Sequence, residues 1–324
     1  MKKYLFALLA VAAMVPATAA HAETLRLSGI YPAGSDEAVL VERIAVEEFG
    51  GPEGARLSFI LEDRLRDVTI GGEPWFTVLP PSLANEADGI LQGYAEPRFS
   101  ESTFRETREI CTERDEDGDC IATREVEARC IQVNVSLAPE MRLVGYQGDV
   151  IWAGAFERNT SSRYCPRFDD KPDFTGTLES WLSDIANQAR HTLAPRYRVQ
   201  DLRIMESRNG LDRALRDDFR AAVRMTDTDE ATACDMFETL FVASPETPSL
   251  IFNTGLCAEQ RGDFALAEAR YSLALGNDRS DDEGQEGLQR LEQRRRADRQ
   301  LADREAFLAP DDAPEPMVVD EEIR

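Results

Sequence analysis

The residues that carry most proton-transfer and nucleophilic chemistry in proteins are nearly missing from this chain. Beyond residue 22 the one histidine is His191 and the one lysine is Lys171. Ser-His and Cys-His pairs, multi-histidine metal sites and phosphate-cradling lysines therefore have almost no raw material. His191 falls in an expected helix from Leu178 to Leu193, just before Pro195. There an imidazole meets the negative end of the helix dipole, a structural role rather than that of a general base. Carboxylates abound: 61 Asp+Glu stand against 37 Lys+Arg, a net charge of −24. Such a surface repels phosphate backbones, so nucleic acid is not an expected partner.

Three patterns among the remaining residues deserve a chemical reading. Asp115-x-Asp117-x-Asp119 offers alternating carboxylates like the start of a calcium loop, but Cys120 stands where the turn glycine belongs and Val126 where the bidentate glutamate belongs. A solvated turn is expected, with no metal. Gly50, Gly51 and Gly54 lack a lysine and read as a strand-to-helix turn rather than an anion cradle. Carboxylates could pair as the acid and base of a hydrolase or carbohydrate-active enzyme, the alternative reading of the chain, yet spacing singles out no pair. No catalytic residue and no cofactor are expected. The sequon Asn159-Thr160-Ser161 has no expected role in a chain with a bacterial-type leader.

That leader is residues 1–22. Lys2 and Lys3 precede an apolar run from Leu5 to Val15, and Ala20-His21-Ala22 supplies a cleavage site before Glu23. No later stretch reaches the roughly 18 apolar residues of a membrane span. An exported, periplasmic protein is expected, and six cysteines without a C-x-x-C then read as disulfides. Cys130 and Cys165 lie at equal distances from the turn at Gln147-Gly148, so they should face each other across a long antiparallel hairpin, with a bulge at Pro139. Cys111 and Cys120 flank the acidic turn in the same way. Cys234 and Cys257 remain as a disulfide or a buried thiol pair.

The elements that carry these residues change in kind along the chain. Strands are expected at 24–30, 43–49, 75–79 and 89–94, with a helix between Pro52 and Gly71 that buries Leu57, Ile60, Leu61, Leu65 and Val68. A charged insertion from Phe99 to Glu127 holds the first cysteine hairpin. Strands then follow at 131–137, 142–146 and 149–156, the helix ending at Leu193 covers the sheet, and a strand from Tyr197 to Met205 closes the front half. The order of these elements, with Ile44-Ala45-Val46-x-x-Phe49 and Ala87-Asp88-Gly89-Ile90-Leu91-Gln92-Gly93, resembles the domain shared by the curli secretion lipoprotein, peptidoglycan-synthase activator lipoproteins and the amino-terminal domain of the Tol translocation protein. That resemblance implies an α/β sandwich used for protein contacts in the cell envelope. The lipid-accepting cysteine of those lipoproteins is missing.

From Gly210 onward helical spacing takes over. Ala233, Phe237 and Pro245 recur 34 residues later as Ala267, Tyr271 and Arg279, and Gly255 and Gly262 stand seven apart. Residues 250–277 resemble a tetratricopeptide repeat, with a weaker unit before them. Packing of successive repeats implies that Cys234 and Cys257 face each other. The resemblance also implies a partner-binding groove at Ser249, Phe252, Asn253, Leu256, Glu259 and Gln260, with core as the equal alternative for Phe252 and Leu256. Ser280-Asp281-Asp282-Glu283 should open a solvated capping helix through Phe307, ahead of a disordered acidic tail.

The expected fold class is thus α+β: an N-terminal α/β sandwich with a mixed or antiparallel sheet, followed by an all-α tetratricopeptide-like domain of helical hairpins. The expected divisions are a leader at 1–22, an envelope-type domain at 23–206, repeats with a capping helix at 207–308, and a tail at 309–324. The expected function is a non-enzymatic periplasmic adaptor or scaffold. Its partner is a protein of the cell envelope, held through the repeats, and outer-membrane association is compatible with this.

Overall fold

The computed structural model describes residues 23–276 and 280–309. The leader, the tail beyond Ala309, and Asn277 and Arg279 of the second repeat lie outside them. The fold is α+β, with a strand-rich front and a helical back. Among the described residues no helix is long and apolar enough to cross a membrane.

The chain forms two compact units. One takes the chain up to Ser28 with Val199–Leu291, and the other takes Gly29–Arg198 with the chain from Glu292. This corrects the simple front-and-back division at residue 206, and apolar burial explains why. Leu25 and Leu27 belong to the core that holds Ile204, Leu211, Phe219, Phe237 and Leu250. The boundaries consequently fall inside β1 (Thr24–Tyr31) and β12 (Arg196–Arg203), which pair as a two-stranded sheet.

In the sheet unit, β2 (Arg43–Val46) leads through Gly50 and Gly51 to α1 (Gly54–Arg66). Gly51 has φ of +87°, and a Cβ there would lie 2.4 Å from the Ala95 carbonyl oxygen, so only glycine suits the turn. The face of α1 written by Leu57, Leu61 and Leu65 is fully buried. A two-residue hairpin, β3 (Thr69–Ile70) with β4 (Glu73–Pro74), turns at Gly71-Gly72 before β5 (Thr77–Leu79). Next come β6 (Gly89–Tyr94), the long hairpin of β7 (Pro97–Arg114) and β8 (Cys120–Leu137), then β9 (Glu140–Gly145), β10 (Val150–Ala155) and β11 (Arg158–Tyr164). The main sheet is mixed, in the order β10-β9-β6-β2-β5, with β2 parallel to both neighbours. Helix α2 (Thr175–Leu193) packs with α1, and its Leu182, Ile185, Ala189 and Leu193 join the same core as Ile44, Leu91 and Leu143.

The expected single hairpin from Cys130 to Cys165 is corrected here. Its inner part, β9 with β10, belongs to the main sheet, while its outer part, β8 with β11, belongs to a three-stranded sheet of order β11-β8-β7. Pro139 sits between the two pairings. It has no N–H to continue a ladder, so the chain changes sheets there rather than bulging within one. The outer register still sets Ile131 opposite Tyr164, and the next pair is the Cys130–Cys165 disulfide.

The helical unit holds α3 (Arg216–Met225), α4 (Glu230–Ala243), α5 (Pro248–Gln260) and α6 (Phe264–Ala274). Packing runs α3 on α4, α4 on α5 and α5 on α6. Asp229 caps α4 through the Thr232 N–H and Asp263 caps α6 through the Leu266 N–H, at equivalent positions 34 residues apart. Ala233 and Ala267, and Phe237 and Tyr271, are fully buried. The Cys234–Cys257 disulfide joins α4 to α5.

Helix α7 (Asp281–Leu308) corrects the expected solvated cap. In the sheet unit its later turns bury Ala297, Gln300 and Arg304. Gln300 accepts from the Ala33 N–H (2.8 Å) and donates to the Ala33 carbonyl (3.2 Å). Arg304 donates to the carbonyls of Val39, Val41 and Trp75. Within the helical unit, Ser280 donates its hydroxyl to the Ala274 carbonyl.

Candidate partner-binding groove

The candidate site is built on α5, which Pro248 opens at the first turn and whose residues 248–259 are all buried. A helix buried on every side must satisfy its polar side chains internally. Ser249 donates to the Ser207 carbonyl at 2.6 Å. Asn253 accepts from the Met205 N–H at 2.8 Å and donates to the Met205 carbonyl at 3.0 Å. Gln260 donates to the Arg26 carbonyl at 3.2 Å and to the Glu230 carboxylate, which itself accepts from the Arg26 N–H at 3.1 Å. The strand at Arg26 and the irregular stretch at 205–207 thus lie along α5.

Glu259 is enclosed by α6 and α7. Its carboxylate accepts from the Tyr271 hydroxyl at 2.7 Å and from Arg290 at 3.0 and 3.3 Å. Burial would lower the Arg290 guanidinium, but the Glu259 charge outweighs it and holds the group above its ordinary value. Burial and the same carboxylate push the Tyr271 hydroxyl up, so it remains a donor. Leu256 is core, and Phe252 packs against the Tyr271 ring at 6.0 Å between centroids.

The structure therefore brings all six expected groove residues together, but as a filled face rather than an open one. The reading of Ser249, Asn253 and Glu259 as free partner contacts is corrected by their burial against the chain itself, while Leu256 is core and the partly exposed Gln260 is engaged by Arg26 and Glu230. Among the described residues of this unit an open groove of about 450 Å³ is lined by 202–207, Phe252, Glu283, Glu286 and Arg290. Phe252 is the one expected residue on it. Glu283, Glu286 and the 202–207 wall gave no sequence signal: the glutamates look like any solvated helix face, and the wall looks like the end of a strand.

The other sequence candidates are placed as follows. Cys111 and Cys120 form the third disulfide, near the tip of the β7–β8 hairpin. Asp115 turns inward on its own loop and accepts from the N–H groups of Asp117 and Asp119. Among the described residues no cluster of three or more His, Cys, Asp or Glu is arranged to hold a metal. His191 takes a hydrogen bond on Nδ1 from Arg190 at 2.9 Å. Burial, then Arg196, Arg190 and Arg198, bring its pKa down to about 4, so it is neutral rather than the cation that a helix dipole favours.

No family model matches the chain, and no curated protein matches it. Solved structures give partial likenesses. Two are crystal forms of the PelC dodecamer from Paraburkholderia phytofirmans, one of them a point variant. At 16% and 15% identity they cover 52% of this chain and 98% and 99% of theirs, each with a TM-score of 0.25. A neuraminyllactose-binding hemagglutinin homolog from Helicobacter pylori shares 13% identity over 49% of this chain and 87% of its own, with a TM-score of 0.27. At such scores none of these enters the argument.

Proposed function

We propose that the protein is a non-enzymatic adaptor of the periplasm that holds an extended segment of a partner protein in its helical unit. In this reading residues 1–22 direct export, the front unit is an envelope domain of the curli-secretion and Tol kind, and the helices are tetratricopeptide-like. Three disulfides support an oxidising compartment. The observation that carries the reading is the clamp of Asn253 and Ser249 on the main chain of Met205 and Ser207. A helix face that recognises main chain through side-chain amide and hydroxyl groups is equipped for polypeptide, whatever its sequence. The partner segment lies in the groove beside 202–207, where Glu283 and Glu286 favour basic side chains.

A photo-crosslinking residue at Arg203, on the same groove, in protein added to envelope extracts of the source cell, tests this. The expected result is one defined protein adduct that disappears in the Glu283→Arg/Glu286→Arg double variant. An adduct that survives the reversal, or one obtained only from a crosslinker at Ile121 on the β7–β8 hairpin, overturns it.

A further inference from the structure

In a chain of net charge −24, one end of the sheet unit gathers arginines. Arg64 lies in the last turn of α1, Arg190 and His191 in the last turn of α2, and Arg196 and Arg198 at the start of β12. Tyr31, at the end of β1, has Arg198 over its ring at 4.8 Å and Arg294 at 5.9 Å.

Basic residues near a helix carboxyl end ordinarily serve its exposed carbonyls. That explanation is weak here, because those carbonyls are already engaged: His191 O accepts from the Gly34 N–H at 3.2 Å and Thr192 O from the Ser35 N–H at 3.0 Å. The Nε atoms of Arg64 and Arg196 are buried with no hydrogen-bond partner among the described residues. Leaving such donors unpaired costs free energy that a suitable acceptor would recover. The electrostatics agree. Burial lowers Arg190, and Arg196 and Arg64 lower it further, with Asp67 the one carboxylate opposing them. Burial and then Arg198 lower Arg196.

We propose that Arg64, Arg190 and Arg196 form a binding site for a small tetrahedral oxyanion, a phosphate or sulfate group. Guanidinium forks match such oxygens two at a time, which an ammonium does not. The bound anion supplies the acceptor that the buried Nε atoms lack and offsets the mutual repulsion of the arginines. The half-buried setting of these side chains suits a free anion better than a headgroup held in a bilayer.

His191 is the built-in reporter, being the one histidine beyond residue 22. Its imidazole is titrated by NMR on the chain beginning at residue 23, in sodium sulfate and in sodium chloride at equal ionic strength, so that screening acts equally in both. Sulfate is expected to raise the midpoint saturably, by about one unit more than chloride does. The sulfate-specific increment should vanish in Arg196→Gln and shrink in Arg196→Lys, which keeps the charge but loses the fork. Equal shifts in the two salts, or a full increment in Arg196→Gln, overturn the proposal. The salt comparison on the unaltered protein decides the matter even if a variant folds poorly. Protein that sediments with phosphatidylglycerol vesicles and is released by sulfate overturns the assignment to a free anion; protein that stays in the supernatant is expected.

Discussion

Glu259 offers the sharpest test of how the helical unit is held together. Its side chain is fully buried and that of Arg290 is 13% exposed, so truncating one partner strands the other. Glu259→Ala removes the acceptor for two Arg290 hydrogen bonds and for the Tyr271 hydroxyl. Breaking a buried pair from one side costs about 3–5 kcal/mol. Tyr271→Phe leaves the ion pair intact and should cost only about 1–1.5 kcal/mol. Glu259→Gln keeps an acceptor oxygen without the charge and should fall between them. The double variant Glu259→Ala/Arg290→Ala removes both charges, so it should cost less than the sum of the singles by about 1–3 kcal/mol. Urea unfolding followed by helical ellipticity gives these numbers, with an unchanged denaturant slope as the check on the native and unfolded states. A cost below about 1 kcal/mol for Glu259→Ala, or additive singles, would mean the triad is solvated and the argument fails.

Three further outcomes follow from the same geometry. Replacing Cys234 and Cys257 by alanine opens a loop of sequence separation 23 inside a core and should cost about 3 kcal/mol in the same unfolding measurement; replacing Cys111 and Cys120 should leave the midpoint nearly unchanged and loosen only amide exchange at the hairpin tip. The folded pKa of His191 is depressed to about 4, below the unfolded value of about 6.5. The unfolded chain therefore binds the extra proton between those values, and stability should fall as pH drops through that window and level off below it. The undiscounted shift would be about 3 kcal/mol, which partial exposure reduces to on the order of 1 kcal/mol; a His191→Asn variant that keeps the same slope refutes the assignment. Gly287→Ala places a Cβ 2.7 Å from the Tyr271 ring, and overpacking of about 1–3 kcal/mol should outweigh the helix-propensity gain of about 1 kcal/mol. Gly176→Ala, which meets nothing within 4 Å, should not destabilise.

What the sequence disclosed was what apolar periodicity and chain symmetry can encode. Leu57, Leu61 and Leu65 wrote the buried face of α1, and the equal spacing of Cys130 and Cys165 about Gln147-Gly148 matched the register of β8 with β11. The 34-residue period was visible in Ala233 and Ala267, and the capping pair Asp229 and Asp263 repeats it. Polar burial was not legible. Gln300 and Arg304 look like solvent-facing residues in a run of charges, and only the backbone of 33–41 and Trp75, remote in sequence, gives them a reason to be inside. The groove expectation failed on the same ground. The repeat pattern marks which positions of α5 face outward, and it says nothing about the segments of the chain that lie on them.

Asn253 and Gln300 reveal a shared device. Each amide side chain meets both the N–H and the carbonyl of one residue outside the helices and strands, Met205 for Asn253 and Ala33 for Gln300, as a neighbouring strand would. An amide suits this because it is donor and acceptor at once, and its nearest isostere is not. In Asn253→Asp the carboxylate still accepts from the Met205 N–H, but it has no proton for the Met205 carbonyl and adds a buried charge beside it. A loss of about 2–4 kcal/mol at neutral pH is expected. Protonating the carboxyl restores the missing donor, so its folded pKa must lie above the unfolded value of about 3.9. The deficit relative to the unaltered protein should therefore be small below that value, grow as pH rises towards the folded pKa, and stay constant above it. This runs opposite in sign to the His191 effect, so the two separate in one pH series of unfolding curves. A deficit independent of pH would mean that the segment at 204–206 is held by packing, and that α5 does not read main chain through Asn253.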